Sequence, residues 1–444
     1  MMLSRLRSRL LGGDSGGVVR GMLTLAFGTG MARLIGIAAI PLLTRIYSPA
    51  DYGVLAVYSA LVAVMAPLLT LRYVLAVPLP RSDGMAANLM VLSFILMACV
   101  TMAVGLLFWA FGDVVLRWMS MEVLAPWWWL VVLGAIAVAV YEALGLWATR
   151  RRAYRVISQT KVVQSVTSVL VKVGLGVAGM KPFGLLFGHL VEQSGGISSF
   201  SLRFRQDFGR NLRHLNRQAV LLVARYYRGF PIFRLPSQLF MVFSTQAPAM
   251  FAAALFGASA TGQLGLALMA LAIPSNLIGQ SVGQAFYGEI ARLPKGSEAQ
   301  IKKLAFSIQK KLFIVGLPLT VALMLLGEPL FHFAFGVRWT EAGSYASILA
   351  PFVLLQLTSS PLVQILNIYN AQGAFLGINI VRALGLLGIY HACVWMSLSP
   401  KDFVLLLSAF LFVFYLLITL YILHTVNRAA AGRALSERRR DDDE

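Results

Sequence analysis

The sequence predicts an all-α integral membrane protein of about twelve transmembrane helices, arranged as two lobes of six. Two observations carry that expectation. Hydrophobic residues make up 58% of the 444-residue chain and charged residues only 13%, with a mean hydropathy of +0.76. A soluble domain needs about 25% charged residues to cover its surface. The second observation is that lysine and arginine collect in every second connection between the apolar stretches. That alternation is the mark of connections lying on alternate sides of a bilayer.

Lipid offers no partner to backbone N–H and C=O groups, so a crossing segment satisfies them internally, as a helix of about 20 apolar residues. Twelve segments qualify. The first six run Arg20–Tyr47, Asp51–Leu79, Met85–Phe111, Val123–Ala148, Ser158–Met180 and Phe183–Phe204. The second six run Phe230–Phe256, Ala260–Phe286, Leu304–Leu326, Ser344–Ile368, Phe375–Ser397 and Phe403–Thr425.

With that count, the basic clusters fall on one side. Arg5, Arg7, Arg9 and Arg20 precede or open the first span, and Arg150, Arg151, Arg152, Arg155 and Lys161 follow the fourth. Arg203 through Arg228 follow the sixth, Arg292 through Lys311 the eighth, and Arg428 through Arg440 end the chain. The other side holds little beyond Arg45, Arg117, Lys181, Arg338 and Lys401. The rule that positive charge stays inside then puts both termini in the cytoplasm. The net charge of +20 is thus a topology signal. It implies contact with anionic membrane lipids rather than nucleic acid.

The basic segment after the sixth span divides the chain. The expected organisation is an N-terminal six-helix lobe over 1–204, a basic cytoplasmic linker over 205–229 and a C-terminal six-helix lobe over 230–426. A disordered cytoplasmic tail over 427–444 completes it. Both halves start on the same side, so any internal symmetry is a parallel repeat. IYSPADYGVLA from Ile46 and LFGASATGQLGLA from Leu255 align Gly53 with Gly262, at equivalent places in the two halves. LFWAFG ending at Gly112 and FHFAFG ending at Gly336 form a second such pair.

Catalytic signatures are missing. The chain has no G-x-x-x-x-G-K-[ST] phosphate loop and no H-E-x-x-H, and its five histidines are scattered. Cys99 and Cys393 fall inside spans and read as small buried hydrophobes, not as a disulfide or metal pair. No removable signal peptide is expected, because the first span can itself target the chain. The expectation is transport rather than catalysis, with no cofactor or metal.

Ionisable residues inside spans are therefore the candidates. A charge at the bilayer centre costs at least about 2.5–3.5 kcal/mol, so it must face a partner or an aqueous cavity. Arg33, Arg72, Arg234 and Arg382 qualify, with Glu142, Lys172 and Glu192. Guanidinium is a planar fork of donors suited to phosphate oxygens, so an arginine-rich cavity suggests an anionic passenger. Arg72, Arg234, Arg382 and Lys172 could instead snorkel to headgroups. Glu142 and Glu192 could pair with a cation or carry a coupling proton. Gln246, Gln263, Asn276, Gln280 and Gln284 crowd the seventh and eighth spans as a polar lining or as packing amides.

Several stretches resemble the bacterial polysaccharide and O-antigen flippases of the multidrug/oligosaccharidyl-lipid/polysaccharide exporter superfamily. They are GMARLIGIAAIPLLTRIYSPADYG from Gly30, LRYVLAVPLPRSD from Leu71, FPIFRLPSQL from Phe230, IPSNLIGQSVGQAFYGEIA from Ile273 and FAFGVRWTEAGSYASILAP from Phe333. The resemblance implies two lobes around a central cationic cavity, in the bacterial inner membrane. It implies passage of a polyprenyl-diphosphate-linked oligosaccharide to the periplasmic leaflet, with Arg33, Arg72 and Arg234 at positions often cationic in such proteins. A proton or sodium gradient could supply the energy, and glycan polymerase or chain-length proteins are candidate partners. A multidrug antiporter of the same superfamily is the alternative, and would need acidic cavity residues. A membrane glycan ligase or polymerase is a further one, and would need a larger outer loop than this chain has.

Overall fold

The computed structural model describes residues 14–290, 297–363, 365 and 372–443, and among them it contains helices and no strand. In chain order the first helices are α1 (Asp14–Ile46), α2 (Pro49–Leu69), α3 (Asp83–Trp118), α4 (Trp128–Arg150) and α5 (Tyr154–Val177). Next come α6 (Phe183–Ser194), α7 (Ile197–Leu212), α8 (Arg217–Tyr226) and α9 (Leu235–Pro274). The last are α10 (Gln280–Ile290), α11 (Glu298–Phe335), α12 (Thr340–Ser359), α13 (Gln372–Met396) and α14 (Pro400–Asp443).

Helix starts follow local chemistry. Ser48-Pro49-Ala50-Asp51 and Ser399-Pro400-Lys401-Asp402 are the same capping box. The Ser48 hydroxyl accepts from the Asp51 N–H at 3.2 Å while Asp51 accepts from the Ser48 N–H at 2.8 Å. The corresponding distances at Ser399 and Asp402 are 3.3 and 3.1 Å. Two of the otherwise unpaired N-terminal groups are satisfied, and proline presets the first helical φ.

Among the described residues, ten helical runs are long and apolar enough to cross a membrane. Two places explain the difference from twelve, and one further segment is shortened without being lost from the count. The run Phe230–Pro274 is counted once, yet its 45 residues are about twice what one crossing needs. Gly257 breaks it, with φ 76° and ψ −171°, a conformation that essentially only glycine adopts. The sixth segment divides at Gly195–Gly196 into the short α6 and α7. The second ends at Leu69 rather than Leu79, because Leu71 and Arg72 turn left-handed and Pro78 and Pro80 prevent the helix from resuming. α14 runs on through the tail segment as far as Asp443. Its Ala, Arg, Leu and Glu residues are good helix formers, and no proline stops them.

The molecule divides into two compact units. Unit 1 comprises the chain up to Phe243 with Gly257–Ser259, and unit 2 comprises Ser244–Phe256 with the chain from Ala260. In unit 1, α2 is the buried axis, with Val57, Tyr58 and Val62 no more than 1% exposed. Gly134 lets α4 close on it, since a Cβ there would lie 2.5 Å from the Tyr58 hydroxyl oxygen. α1 lies along α5, with the Ser165 hydroxyl donating to the Ala32 carbonyl at 2.7 Å.

The segment 205–229, read as a linker, is mostly helix and packs on unit 1. Its amphipathic helices explain this. Phe200, Phe204 and Val223 enter a core with Trp147 and Leu89, while Arg203, Arg205, Arg210, Arg217 and Arg225 stay exposed. The Asn88 amide fixes the connection between α7 and α8, donating to the His214 carbonyl at 3.0 Å and accepting from the Asn216 N–H at 3.2 Å.

An ionic cluster ties the same end together. Asp83 accepts from Arg150 at 2.9 Å and from Arg151 at 3.0 Å, and Arg151 also reaches Asp207 at 3.0 Å. Asp83 is 40% exposed, so each pair is worth little alone. Asp83→Asn should therefore cost only about 1 kcal/mol, as a lower melting temperature in detergent. The difference from wild type should narrow at high salt; a difference insensitive to salt would count against an electrostatic role.

In unit 2, α11 and α12 pack along their length and α14 lies against α12, where Ser359 and Thr419 hydroxyls meet at 2.6 Å. α11 and α12 cross at Gly327 and Gly343. A Cβ on Gly343 would lie 2.5 Å from the Gly327 carbonyl oxygen.

Candidate functional site

Arg72 is delivered by the left-handed turn that ends α2. Leu71 and Arg72 have φ of 44° and 60°. Such backbone costs non-glycine residues about 1 kcal/mol or more, so the surrounding structure must hold it. The Arg72 side chain is 10% exposed, and its Nη1 donates to both carboxylate oxygens of Glu142, on α4, at 3.1 and 3.0 Å. Only one of its three nitrogens engages Glu142. Its Nε is buried with no hydrogen-bond partner.

A second constellation forms where α6 stops at Gly195. Glu192 accepts from Lys172 at 2.8 Å and from the Ser168 hydroxyl at 3.2 Å, both on α5. Gly188 makes room, since a Cβ there would lie 2.3 Å from Lys172 Cγ. His189 Nδ1 lies 3.7 Å from Glu192, and Gln193 donates to His189 Nε2 at 2.8 Å. A ring nitrogen that accepts from an amide leaves the imidazole proton on Nδ1, facing the carboxylate. The Tyr58 ring stands edge-on to the imidazole, 5.8 Å between centroids.

Arg33 lies on α1, exposed, about 20 Å from the Ile46 end of that helix. It and Glu192 are within electrostatic reach of Lys161, whose Nζ sits 4.7 Å above the Tyr141 ring. Lys161 reads from the sequence as a connection residue. α5 begins at Tyr154, so Lys161 stands two turns inside the helix. Its position relative to the true helix start is the signal that was there to find. Four cations, Arg33, Arg72, Lys161 and Lys172, thus stand with two carboxylates, Glu142 and Glu192, among the candidate residues of unit 1. Arg234 is exposed at the end of the π-helical turn Phe230–Arg234 and joins neither pair.

In unit 2, Arg382 is half-buried on α13, with its guanidinium 5.9 Å from the centroid of the Tyr415 ring. The Tyr415 hydroxyl accepts from the Gln356 amide at 3.0 Å. Neither Tyr415 nor Gln356 stands out in the sequence. Gln246 is half-buried. Gln263 is occupied by backbone: its amide donates to the Arg338 carbonyl at 2.7 Å and accepts from the Ala342 N–H at 2.9 Å, capping α12. That geometry is a packing role. The side chains of Asn276, Gln280 and Gln284 lie outside the described residues. Among the described residues no cluster of His, Cys, Asp and Glu could hold a metal.

Similar folds exist among solved structures. An inward-closed lipid II flippase MurJ superposes with a TM-score of 0.66, at 12% identity over 91% of this chain and 87% of that one. An inward-facing multidrug resistance MATE family transporter of the MOP superfamily gives 0.62, at 15% identity over 96% and 98%. A MOP superfamily transporter from Pyrococcus furiosus, described as having a binding pocket of reverse polarity that suggests a different function, gives 0.55 at 14% identity over 94% and 97%. No curated protein matches the chain in sequence. The molecule is a multi-pass membrane protein with the all-helical fold of the MOP superfamily transporters. More narrowly, residues 42–344 match the polysaccharide biosynthesis protein family, and the chain belongs to it. The family resemblance read from the sequence therefore holds.

Proposed function

We propose that this protein flips polyprenyl-diphosphate-linked oligosaccharide from the cytoplasmic to the periplasmic leaflet of a bacterial inner membrane, by alternating access. The observation that carries this reading is the excess of cations over carboxylates within the helices of unit 1, in a member of a polysaccharide biosynthesis family. Arg33, Arg72 and Arg234 in unit 1, and separately Arg382 in unit 2, are the candidate cationic contacts for the diphosphate, and the prenyl tail stays in lipid. The MurJ-like fold supports a lipid-linked cargo, being the fold of a flippase for such a lipid. Multidrug antiport finds less support, because both intramembrane carboxylates, Glu142 and Glu192, already hold cationic side chains. For the same reason a coupling proton or sodium ion at either must displace Arg72 or Lys172. The exposed basic faces of α7 and α8 support a cytoplasmic placement of both termini.

The test is the lipid-linked saccharide pool in cells lacking the protein, measured with surface glycan. Cytoplasmic-face accumulation with loss of glycan is expected. Unchanged pools with altered drug tolerance would move the protein to the antiporter class. Arg33→Ala should reduce surface glycan several-fold while leaving the protein level near wild type, because the side chain is exposed. Equal losses of protein and glycan would assign Arg33 to folding.

A further inference from the structure

We infer that Arg382, Tyr415 and Gln356 form an oxyanion-binding subsite within unit 2. Three observations lead there. The first is depth. Arg382 stands about 15 Å from the Gln372 end of α13 and about 21 Å from the Met396 end. That places it inside the apolar span Gly377–Met396, where a guanidinium costs stability unless something compensates it.

The second is the absence of a counter-ion. Arg72 has Glu142 and Lys172 has Glu192, but among the described residues no carboxylate pairs with Arg382. Its Nε is buried without a hydrogen-bond partner. Among the described residues the charge is met by the face of Tyr415, at 5.9 Å. Cation–π attraction offsets part of the cost and leaves the in-plane N–H donors unused. Those donors form the edge that binds a phosphate or carboxylate in fork geometry.

The third is preorganisation. The ring under Arg382 is fixed on several sides. Gln356 holds its hydroxyl at 3.0 Å, Phe352 stacks on it with 6.4 Å between centroids, and Phe414 meets it edge-on at 5.6 Å. The phenol accepts from Gln356, so its own proton is available to a ligand. An aromatic plate with a cation over it and a hydroxyl at its rim costs little further ordering when an anion arrives. The same plate suits the face of a sugar ring next to the anion.

The ligand class is an oxyanion of phosphate type. Its identity as the carrier diphosphate rests on the flippase reading; the existence of the subsite does not. The probes are inorganic pyrophosphate, undecaprenyl diphosphate and phosphatidylglycerol, each titrated into the full-length protein in neutral-lipid nanodiscs. Binding is read by melting temperature and by native mass spectrometry. Arg382→Gln should weaken pyrophosphate by tenfold to a hundredfold, roughly the loss of one charge-assisted hydrogen-bonded contact. Tyr415→Phe keeps the plate but removes the hydroxyl and should weaken it severalfold. Ligand-free melting temperatures separate misfolding from lost affinity, and Gln356→Glu supplies a second route. It places a carboxylate beside the site and should weaken every anion without removing Arg382.

Wild-type affinity for pyrophosphate in both Arg382→Gln and Gln356→Glu would overturn the inference while leaving the flippase reading to the cellular pools. Arg382-dependent binding of pyrophosphate and carrier lipid supports both. Arg382-dependent binding of pyrophosphate and phosphatidylglycerol, with carrier lipid indifferent to Arg382, upholds the subsite as a headgroup site and counts against the diphosphate assignment.

Discussion

Arg72→Met is expected to destabilise the protein by about 2–4 kcal/mol, and Arg72→Met combined with Glu142→Met to recover most of that loss. The reason is the asymmetry of a buried ion pair. Removing one member leaves the other charge desolvated and alone, whereas removing both replaces the pair with apolar contacts of similar volume. Arg72 is 10% and Glu142 27% exposed, which places the single loss below the upper end for fully buried pairs. Melting temperature in detergent measures the stability arm. Surface glycan measures the other. Arg72 uses only Nη1 on Glu142 and its Nε is buried, so Nη2 is the nitrogen left to meet the cargo. The double variant should then be stable but inactive. A double variant that recovers both stability and glycan would make the pair purely structural.

This pair shows what a sequence displays and what it withholds. Arg72 and Glu142 are both visible as charges inside apolar segments, because hydropathy is a local property. That they meet is not visible, since 70 residues separate them and the contact depends on a left-handed turn that nothing in LRYVLAV announces. The same limit explains α7 and α8. Their arginines mark an aqueous side correctly, but the alternate face carrying Phe200, Phe204 and Val223 finds its partner in Trp147, a residue far along the chain. A basic stretch between apolar ones reads as a tether until that partner is placed. The crowd of amides in the seventh and eighth segments reads as a polar lining. Gln263 shows that an amide can be consumed by backbone N–H and C=O groups of another helix, a bookkeeping that composition cannot do. The helix starts, in contrast, were written locally. Ser-Pro-x-Asp at 48 and 399 needs only its own four residues to work.

Gly343→Ala is the substitution expected to damage unit 2 most per atom added. Its Cβ would lie 2.5 Å from the Gly327 carbonyl oxygen and 2.7 Å from Glu328 Cα, both main chain, so no side chain can swing aside. α11 and α12 must separate. In lipid, helices associate through close packing and small residues rather than through water exclusion, so a wedge forfeits contact along the whole crossing. Overpacking of this kind costs about 1–3 kcal/mol, partly masked by the roughly 1 kcal/mol that alanine gains over glycine in helix propensity. Gly388→Ala is the control, because a Cβ there meets nothing within 4 Å. It should leave the melting temperature unchanged or raise it. Ser347→Ala belongs in the series too, since its hydroxyl bridges the crossing to the Leu323 carbonyl at 2.8 Å and should cost about 0.6 kcal/mol. α12 also carries Phe352 and Gln356, which fix the ring beneath Arg382. Tilting α12 should therefore lower pyrophosphate affinity as well as stability in Gly343→Ala, and neither in Gly388→Ala. Equal melting temperatures for the two alanine variants would refute the tight crossing. A destabilised Gly343→Ala that binds pyrophosphate normally would show that the plate does not depend on the tilt of α12.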